Sequence, residues 1–148
     1  MNEITSQLLV GNITEWSETI AAFYEKFYAS TDDFSFKRLL TTMIDTEKEY
    51  IPYVQEKIGG LDLRSIFSTD SEFVFEQFRE SLDGIEDLSK AEFLRKATGS
   101  YSLLIENLNR LSVISRTDSG KELFKKLADD KKRQMMILRD RLELEELV

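Results

Sequence analysis

Glu47 is the residue whose position in this sequence most needs a chemical explanation. Between residues 39 and 58, apolar side chains recur at spacings of three, four and seven, which is typical of one face of a helix. These residues are Leu40, Met43, Ile44, Ile51, Val54 and Ile58. Glu47 falls in the middle of that face. Because burying a bare charge is costly, its carboxylate must be paired, protonated or bound to a cation.

The composition excludes several kinds of chemistry around such a carboxylate. The 148 residues include no His and no Cys. Ser-His and Cys-His catalysis, disulfides, iron–sulfur clusters and thiol chemistry are therefore excluded, and the commonest metal ligand is missing. Gly59-Gly60 is interpreted as a helix stop, because glycine commonly ends helices. It is not a phosphate-binding loop, because the further glycines of such a loop are missing.

The charge and hydropathy of the chain limit its partners and its location. The net charge of −8 disfavours nucleic acid and anionic lipid, so we expect no nucleic-acid partner and attribute the acidity to solubility. No apolar run is long enough to span a bilayer, and we expect no membrane partner. The first residues lack the basic and apolar regions of a signal peptide, and we expect a cytoplasmic protein.

Few helix breakers and long amphipathic stretches predict an all-α protein. One Pro and six Gly in a 148-residue chain favour a single domain, 1–148, of long helices. We expect one helix pair in 5–58, a crossover in 59–88 and a second pair in 89–146. Residues 61–71 are expected to form a loop, and 71–82 a short helix. Short turns make the members of each pair antiparallel, which predicts an antiparallel four-helix bundle with one long crossover.

Local signals set the expected ends and irregularities of these helices. Asp33 is the expected N-cap of the second helix, and the segments 89–92 and 119–122 have the pattern of a capping box. A break at Gly11 and a kink at Pro52 are expected from backbone preferences. Gly99 and Ser100, in the middle of the third helix, are expected to mark a close approach between helices.

The two helix pairs match each other at a constant shift of 84 positions along the chain. Generic amphipathic helices produce some matches by chance, but one ungapped shift across two helices and a turn favours common descent of the halves. The repeat relates three pairs of polar positions in the middle of the helices. They are Ser17 and Tyr101, Glu47 and Lys131, and Tyr50 and Gln134.

This arrangement resembles the ferritin-like superfamily, and within it the rubrerythrin-like proteins. The residues that carry the resemblance form the segments 22–26 (AFYEK), 44–50 (IDTEKEY) and 127–134 (LADDKKRQ). Family members build a di-iron site from one Glu on each of two helices and a Glu-x-x-His pair on each of the other two. Here the six ligand-equivalent positions hold Ser17, Glu47, Tyr50, Tyr101, Lys131 and Gln134.

Only Glu47 retains the residue type that the family uses. Lys131 brings a positive charge to a ligand position, close to where the metal ions would bind. Two irons need several anionic ligands. The resemblance therefore implies the fold and argues against peroxidase or ferroxidase chemistry. We expect no catalytic residue, no metal and no cofactor, and a non-catalytic interaction or structural protein. The alternative is an oxidoreductase of rubrerythrin type that binds iron or manganese through atypical ligands.

Several hypotheses for Glu47 remain open. Lys131 is expected to pair with it and to replace the metal charge, unless Lys131 extends to solvent and Glu47 is half exposed. A residual site built from Glu47 and Glu18 would suit Ca²⁺, Mg²⁺ or Mn²⁺. A small ligand between Ser17, Tyr50 and Tyr101 is a third hypothesis.

Most of the aromatic side chains are expected to lie in the core. Tyr28, Phe34 and Phe36 lie at one end of the first helix pair, where some of them are expected to be exposed. An exposed aromatic surface there would mark a homodimer or a protein partner.

Overall fold

The computed structural model describes residues 4–67 and 87–147, and this part of the chain is helical with no strand. Its five helices are α1 (Ser6–Ser30), α2 (Phe34–Gly59), α3 (Leu63–Ile66), α4 (Lys90–Ile114) and α5 (Asp118–Glu146). The all-α class is therefore confirmed. The short helix predicted in 71–82 lies outside the described residues. None of the helices that the structure describes is long and apolar enough to cross a membrane.

The chain divides into two compact units, Ser6–Leu61 and Asp62–Val148, and the second also includes Met1–Thr5. The first unit contains α1 packed on α2, and the second contains α4 packed on α5. Each unit thus holds one of the two helix pairs that the sequence predicts. A single domain over 1–148 stays a prediction.

The first unit is an α-helical hairpin closed by a three-residue turn. Asp33 is the N-cap of α2, as predicted, and its Oδ1 accepts a hydrogen bond from the Phe36 N–H at 3.1 Å. Phe36 packs edge-on against Phe27, with ring centroids 5.4 Å apart. Leu9, Ile13, Ile20 and Tyr24 of α1 and Leu40, Met43, Val54 and Ile58 of α2 are buried. The two apolar stripes of the sequence therefore form the core of this unit.

The helix breakers of the first unit do not interrupt its helices. α1 runs through Gly11 without the break expected there. Packing of the apolar stripe outweighs a local propensity cost of about 1 kcal/mol for one glycine. α2 continues across Pro52 to Gly59, and the kink predicted at Pro52 stays a prediction.

The N-terminal ends of the long helices in the second unit are both capped by side chains. Ser89 caps α4, as predicted, since its Oγ accepts from the Glu92 N–H at 3.1 Å. The prediction for α5 was wrong by two residues. Thr117, not Ser119, caps α5, and its Oγ1 accepts from the Gly120 N–H at 3.1 Å. Both residues are good caps, and the path of the turn selects the one with extended backbone.

The segment predicted as loop in 61–71 contains the single-turn helix α3 instead. Asp62 caps it, accepting from the Arg64 N–H at 3.2 Å. α3 lies against the turn between α4 and α5, because the Ile66 carbonyl accepts from the Arg116 N–H at 2.6 Å. Phe67 packs on Phe124, with ring centroids 5.7 Å apart. These non-local contacts stabilise a helix that is too short to persist alone.

At Gly120 a side chain would collide with α3, whereas at Gly99 a side chain would contact nothing. A Cβ at Gly120 would lie 2.7 Å from Ile66 Cγ2 and would also collide with Ser115 Oγ. A Cβ at Gly99 would meet no atom within 4 Å, and the residue is exposed. The close approach predicted at Gly99 is therefore wrong, whereas Ser100, the other residue of that prediction, is buried. The glycine that packing requires is at the start of α5.

Candidate functional site

Two charged residues are buried in the part of the chain that the structure describes, and they are Glu47 and Lys131. Each is 0 % exposed. The alternative in which Lys131 extends to solvent and Glu47 is half exposed is therefore wrong. Since water no longer solvates either charge, each requires compensation from the protein.

In the first unit, α1 and α2 place three of the six ligand-equivalent residues in the interior. Ser17, Glu47 and Tyr50 are all buried. Glu47 and Tyr50 are three residues apart on α2 and therefore share a face. Within the described residues, Ser17 Oγ has no hydrogen-bond partner. A buried hydroxyl without a partner costs about 1–3 kcal/mol, so Ser17 is not at this position for stability alone.

In the second unit, α4 and α5 bury the other three residues. Tyr101, Lys131 and Gln134 are all buried. The Lys131 Nζ donates to Gln134 Oε1 at 3.1 Å, across one turn of α5. The amide oxygen solvates the ammonium but carries no charge, so this bond alone does not neutralise Lys131.

The six positions that the repeat singled out are thus all buried, three in each unit. The structure brings Lys131 and Gln134 together, as their spacing on one helix face predicts. The pairing of Glu47 with Lys131 stays a prediction, because its members belong to different units.

Lys48 is the nearest cation to Glu47 along the chain, but it forms an ion pair with a different carboxylate, that of Glu25. Its Nζ lies 2.8 Å from Glu25 Oε1, and both side chains are exposed. The hydrogen bond and the charge of Glu25 raise the pKa of Lys48 above its ordinary value. Successive helix residues point about 100° apart, so Lys48 leaves the face that carries Glu47.

These residues do not fit a di-iron centre. The six side chains offer one carboxylate, two phenols, one hydroxyl and one amide, and the sixth is an ammonium. Protonated Lys131 cannot ligate a metal and would repel a dication. In 4–67 and 87–147, no group of three or more Asp, Glu, His or Cys side chains is arranged to hold a metal ion. Glu18 is exposed whereas Glu47 is buried, which also disfavours a residual site built from these two.

Sequence reasoning missed several buried polar residues on α4, and their contacts explain them structurally. Asn107 Nδ2 donates to the Leu103 carbonyl at 2.9 Å, and its Oδ1 accepts from Arg110 Nη2 at 3.1 Å. Thr98 Oγ1 donates to the Arg95 carbonyl at 3.0 Å. Asn107 lies between Leu104, Leu108 and Leu111 on the helix, a spacing that could have revealed its burial.

Comparisons with known proteins identify no family for this chain. No protein-family model matches the sequence, and neither a curated protein nor a solved structure matches at a significant level.

Proposed function

We propose that this protein is a ferritin-like, rubrerythrin-like four-helix bundle that has lost its di-iron site and acts as a non-catalytic interaction or structural protein. The support for the bundle is the ungapped repeat of 84 positions, together with two helix pairs of matching length. In this proposal the long segment between the pairs is the crossover of the bundle.

The burial of Lys131 is the observation that best supports the proposed loss of metal chemistry. Lys131 and Gln134 occupy the positions that the resemblance assigns to a Glu-x-x-His ligand pair, and they bond to each other instead. An amide and an ammonium leave that helix without an anionic ligand. The positive charge that metal ions supply to a ferritin-like centre is here supplied by the chain itself. No catalytic residue and no cofactor belong to this proposal.

Metal analysis of the full chain tests the proposal. We expect protein purified without chelators to contain well under one iron or manganese per chain, and to take up neither when Fe²⁺ or Mn²⁺ is added anaerobically. Stoichiometric metal that disappears in the Glu47→Gln variant would overturn it. Glu49→Gln is the matched control, because it removes an exposed carboxylate of α2.

The proposed protein partner would use the aromatic surface at the turn between α1 and α2. Phe34 is 74 % exposed and Tyr28 is partly exposed, with Lys37 Nζ 5.1 Å from the Tyr28 ring centroid. Phe36 does not contribute, because it is fully buried. The surface is therefore smaller than the sequence suggests. The absence of a nucleic-acid partner stays a prediction from the net charge.

A further inference from the structure

The outer face of α5 carries an apolar surface that the helix pair itself does not use. Met136, Ile137 and Leu144 are 48 %, 47 % and 60 % exposed, and Leu147, directly after the helix, is 82 % exposed. At about 100° per residue, these four side chains fall within one third of the helix circumference. We call them the α5 outer face.

This face lies opposite the part of α5 that is buried. Phe124, Leu127, Lys131 and Leu138 are buried and define the inward stripe of the helix. The same helical geometry places the centre of the α5 outer face about 160° from the centre of that stripe. An inward rotation of the helix would therefore expose its core, so only a partner outside the helix pair can cover these apolar side chains.

Charged residues frame the apolar pair Met136 and Ile137 symmetrically. Arg133 precedes the pair by about one turn and Asp140 follows it by about one turn, both on the same face. At one edge of the face, Lys132 precedes the pair and Glu143 follows it. A positive end and a negative end therefore flank an apolar centre.

We propose that a second copy of this chain covers the α5 outer face, with the two α5 helices antiparallel and the twofold axis between Met136 and Ile137. In this register, Arg133 of each copy faces Asp140 of the other. Lys132 of each copy likewise faces Glu143 of the other, on the same side of the interface. Self-complementarity of this kind is what a twofold dimer requires.

The charges disfavour the other arrangements of the same two helices. A shift of one turn towards the C-terminus brings Asp140 against its own copy, and a shift towards the N-terminus brings Arg133 against its own copy. A parallel pair places both residues against their own copies. Like charges in contact are destabilising, so the charges of Arg133 and Asp140 select the register centred between Met136 and Ile137.

The size of this surface predicts a weak dimer. The face extends over 15 residues from Arg133 to Leu147, or about 22 Å of helix. A contact between two single helices of this length is small beside the roughly 1,200–2,000 Å² of a stable interface, so association is expected at micromolar or higher concentrations. The proposal does not depend on the proposed loss of the metal site.

Sedimentation equilibrium of the full chain over a range of concentrations tests the proposal through a charge swap. Arg133→Asp and Asp140→Arg each put like charges in contact, and each should weaken dimerisation by about tenfold or more. The double variant reverses both charges and should restore the dissociation constant to within about threefold. Arg38→Asp, an exposed change of the same charge on α2 rather than on α5, should leave it unaltered.

Circular dichroism of each variant establishes that the helices are intact. A wild-type chain that remains monomeric up to about 1 mM would overturn the proposal, as would a dimer that neither single variant weakens. A double variant that dissociates as readily as the single variants would overturn the proposed register. The contact of Arg133 with Asp130, at 3.6 Å on its own helix, is lost both in Arg133→Asp and in the double variant, so it does not explain a rescue.

Discussion

At the level of single residues, the ammonium of Lys131 donates a hydrogen bond to an acceptor on its own helix. Gln134 Oε1 accepts from it at 3.1 Å, in a place that water does not reach. A hydrogen bond to a charged group contributes about 1.5–3 kcal/mol, and more is lost when the charge stays buried without it. Gln134 therefore stabilises the buried ammonium of Lys131 through this hydrogen bond.

The variant Gln134→Leu should destabilise the protein by about 1–3 kcal/mol, because it removes this acceptor and leaves the ammonium in place. Urea denaturation followed by circular dichroism measures the change. Gln134→Glu retains an acceptor oxygen and should cost clearly less. If Leu and Glu had equal effects, the hydrogen bond would not be the cause.

Two glycines should respond in opposite ways to the same substitution. Gly99→Ala should stabilise α4 by about 0.4–1 kcal/mol, because the position is helical, exposed and open to a methyl group. Gly120→Ala should destabilise the protein by about 1–3 kcal/mol, since the added methyl collides with Ile66 and Ser115. Thermal unfolding curves compare the two variants, and a stabilising Gly120→Ala would contradict the packing of α3 at that position.

At the level of the helices, capping decides where α5 begins. Thr117 and Ser119 lie two residues apart, and both have a side chain suited to an N-cap. The structure gives the role to Thr117, while Ser119 Oγ lies 3.3 Å from Thr117 Oγ1. The start of the helix coincides with the turn on which α3 is docked through the Arg116 N–H.

The variant Thr117→Ala should cost about 0.5–2 kcal/mol, because the Gly120 N–H loses its acceptor. Ser119→Ala, two residues further on, should change the free energy of unfolding by less than about 0.5 kcal/mol. Chemical denaturation of both variants under identical conditions provides the comparison. A larger loss at Ser119 would mean that the capping box of the sequence, and not Thr117, starts the helix.

At the level of the whole molecule, each compact unit buries one charged side chain among the residues that the structure describes, and the two charges have opposite signs. Glu47 belongs to the unit of α1 and α2, and Lys131 to the unit of α4 and α5. The sequence repeat places them at equivalent positions. That these two charges compensate each other remains a prediction from the sequence. It can be tested through the unfolding free energies of single and double variants.

If the two charges compensate each other, Glu47→Gln and Lys131→Met should each cost about 3–5 kcal/mol, because each leaves the other charge buried alone. The double variant should cost clearly less than the sum of the two. Denaturant unfolding of the wild type and the three variants measures the coupling. Costs that add to within about 0.5 kcal/mol would show that Lys131 and Glu47 are compensated separately.

The spacing of apolar residues predicted most of the helices, because every amphipathic helix must bury its apolar face whatever the details of the fold. The two helix pairs were predicted in 5–58 and 89–146. The structure places them from Ser6 to Gly59 and from Lys90 to Glu146, which agrees within the usual uncertainty of helix ends. α3 was missed, because one turn carries no periodic signal and its stability comes from contacts that are remote in sequence. The same reason explains why Gly99 was mistaken for the packing glycine and Gly120 was not singled out.

By itself, the sequence determined the all-α class, the two helix pairs and the inward position of Glu47, because an apolar stripe must be buried wherever the chain folds. It also singled out the six polar positions through the repeat. Only the tertiary structure decided that Lys131 is fully buried and bonded to Gln134, and that Met136 and Ile137 face outwards. A long flexible side chain can extend to water or turn inwards, and only its surroundings in the folded chain select one of these conformations.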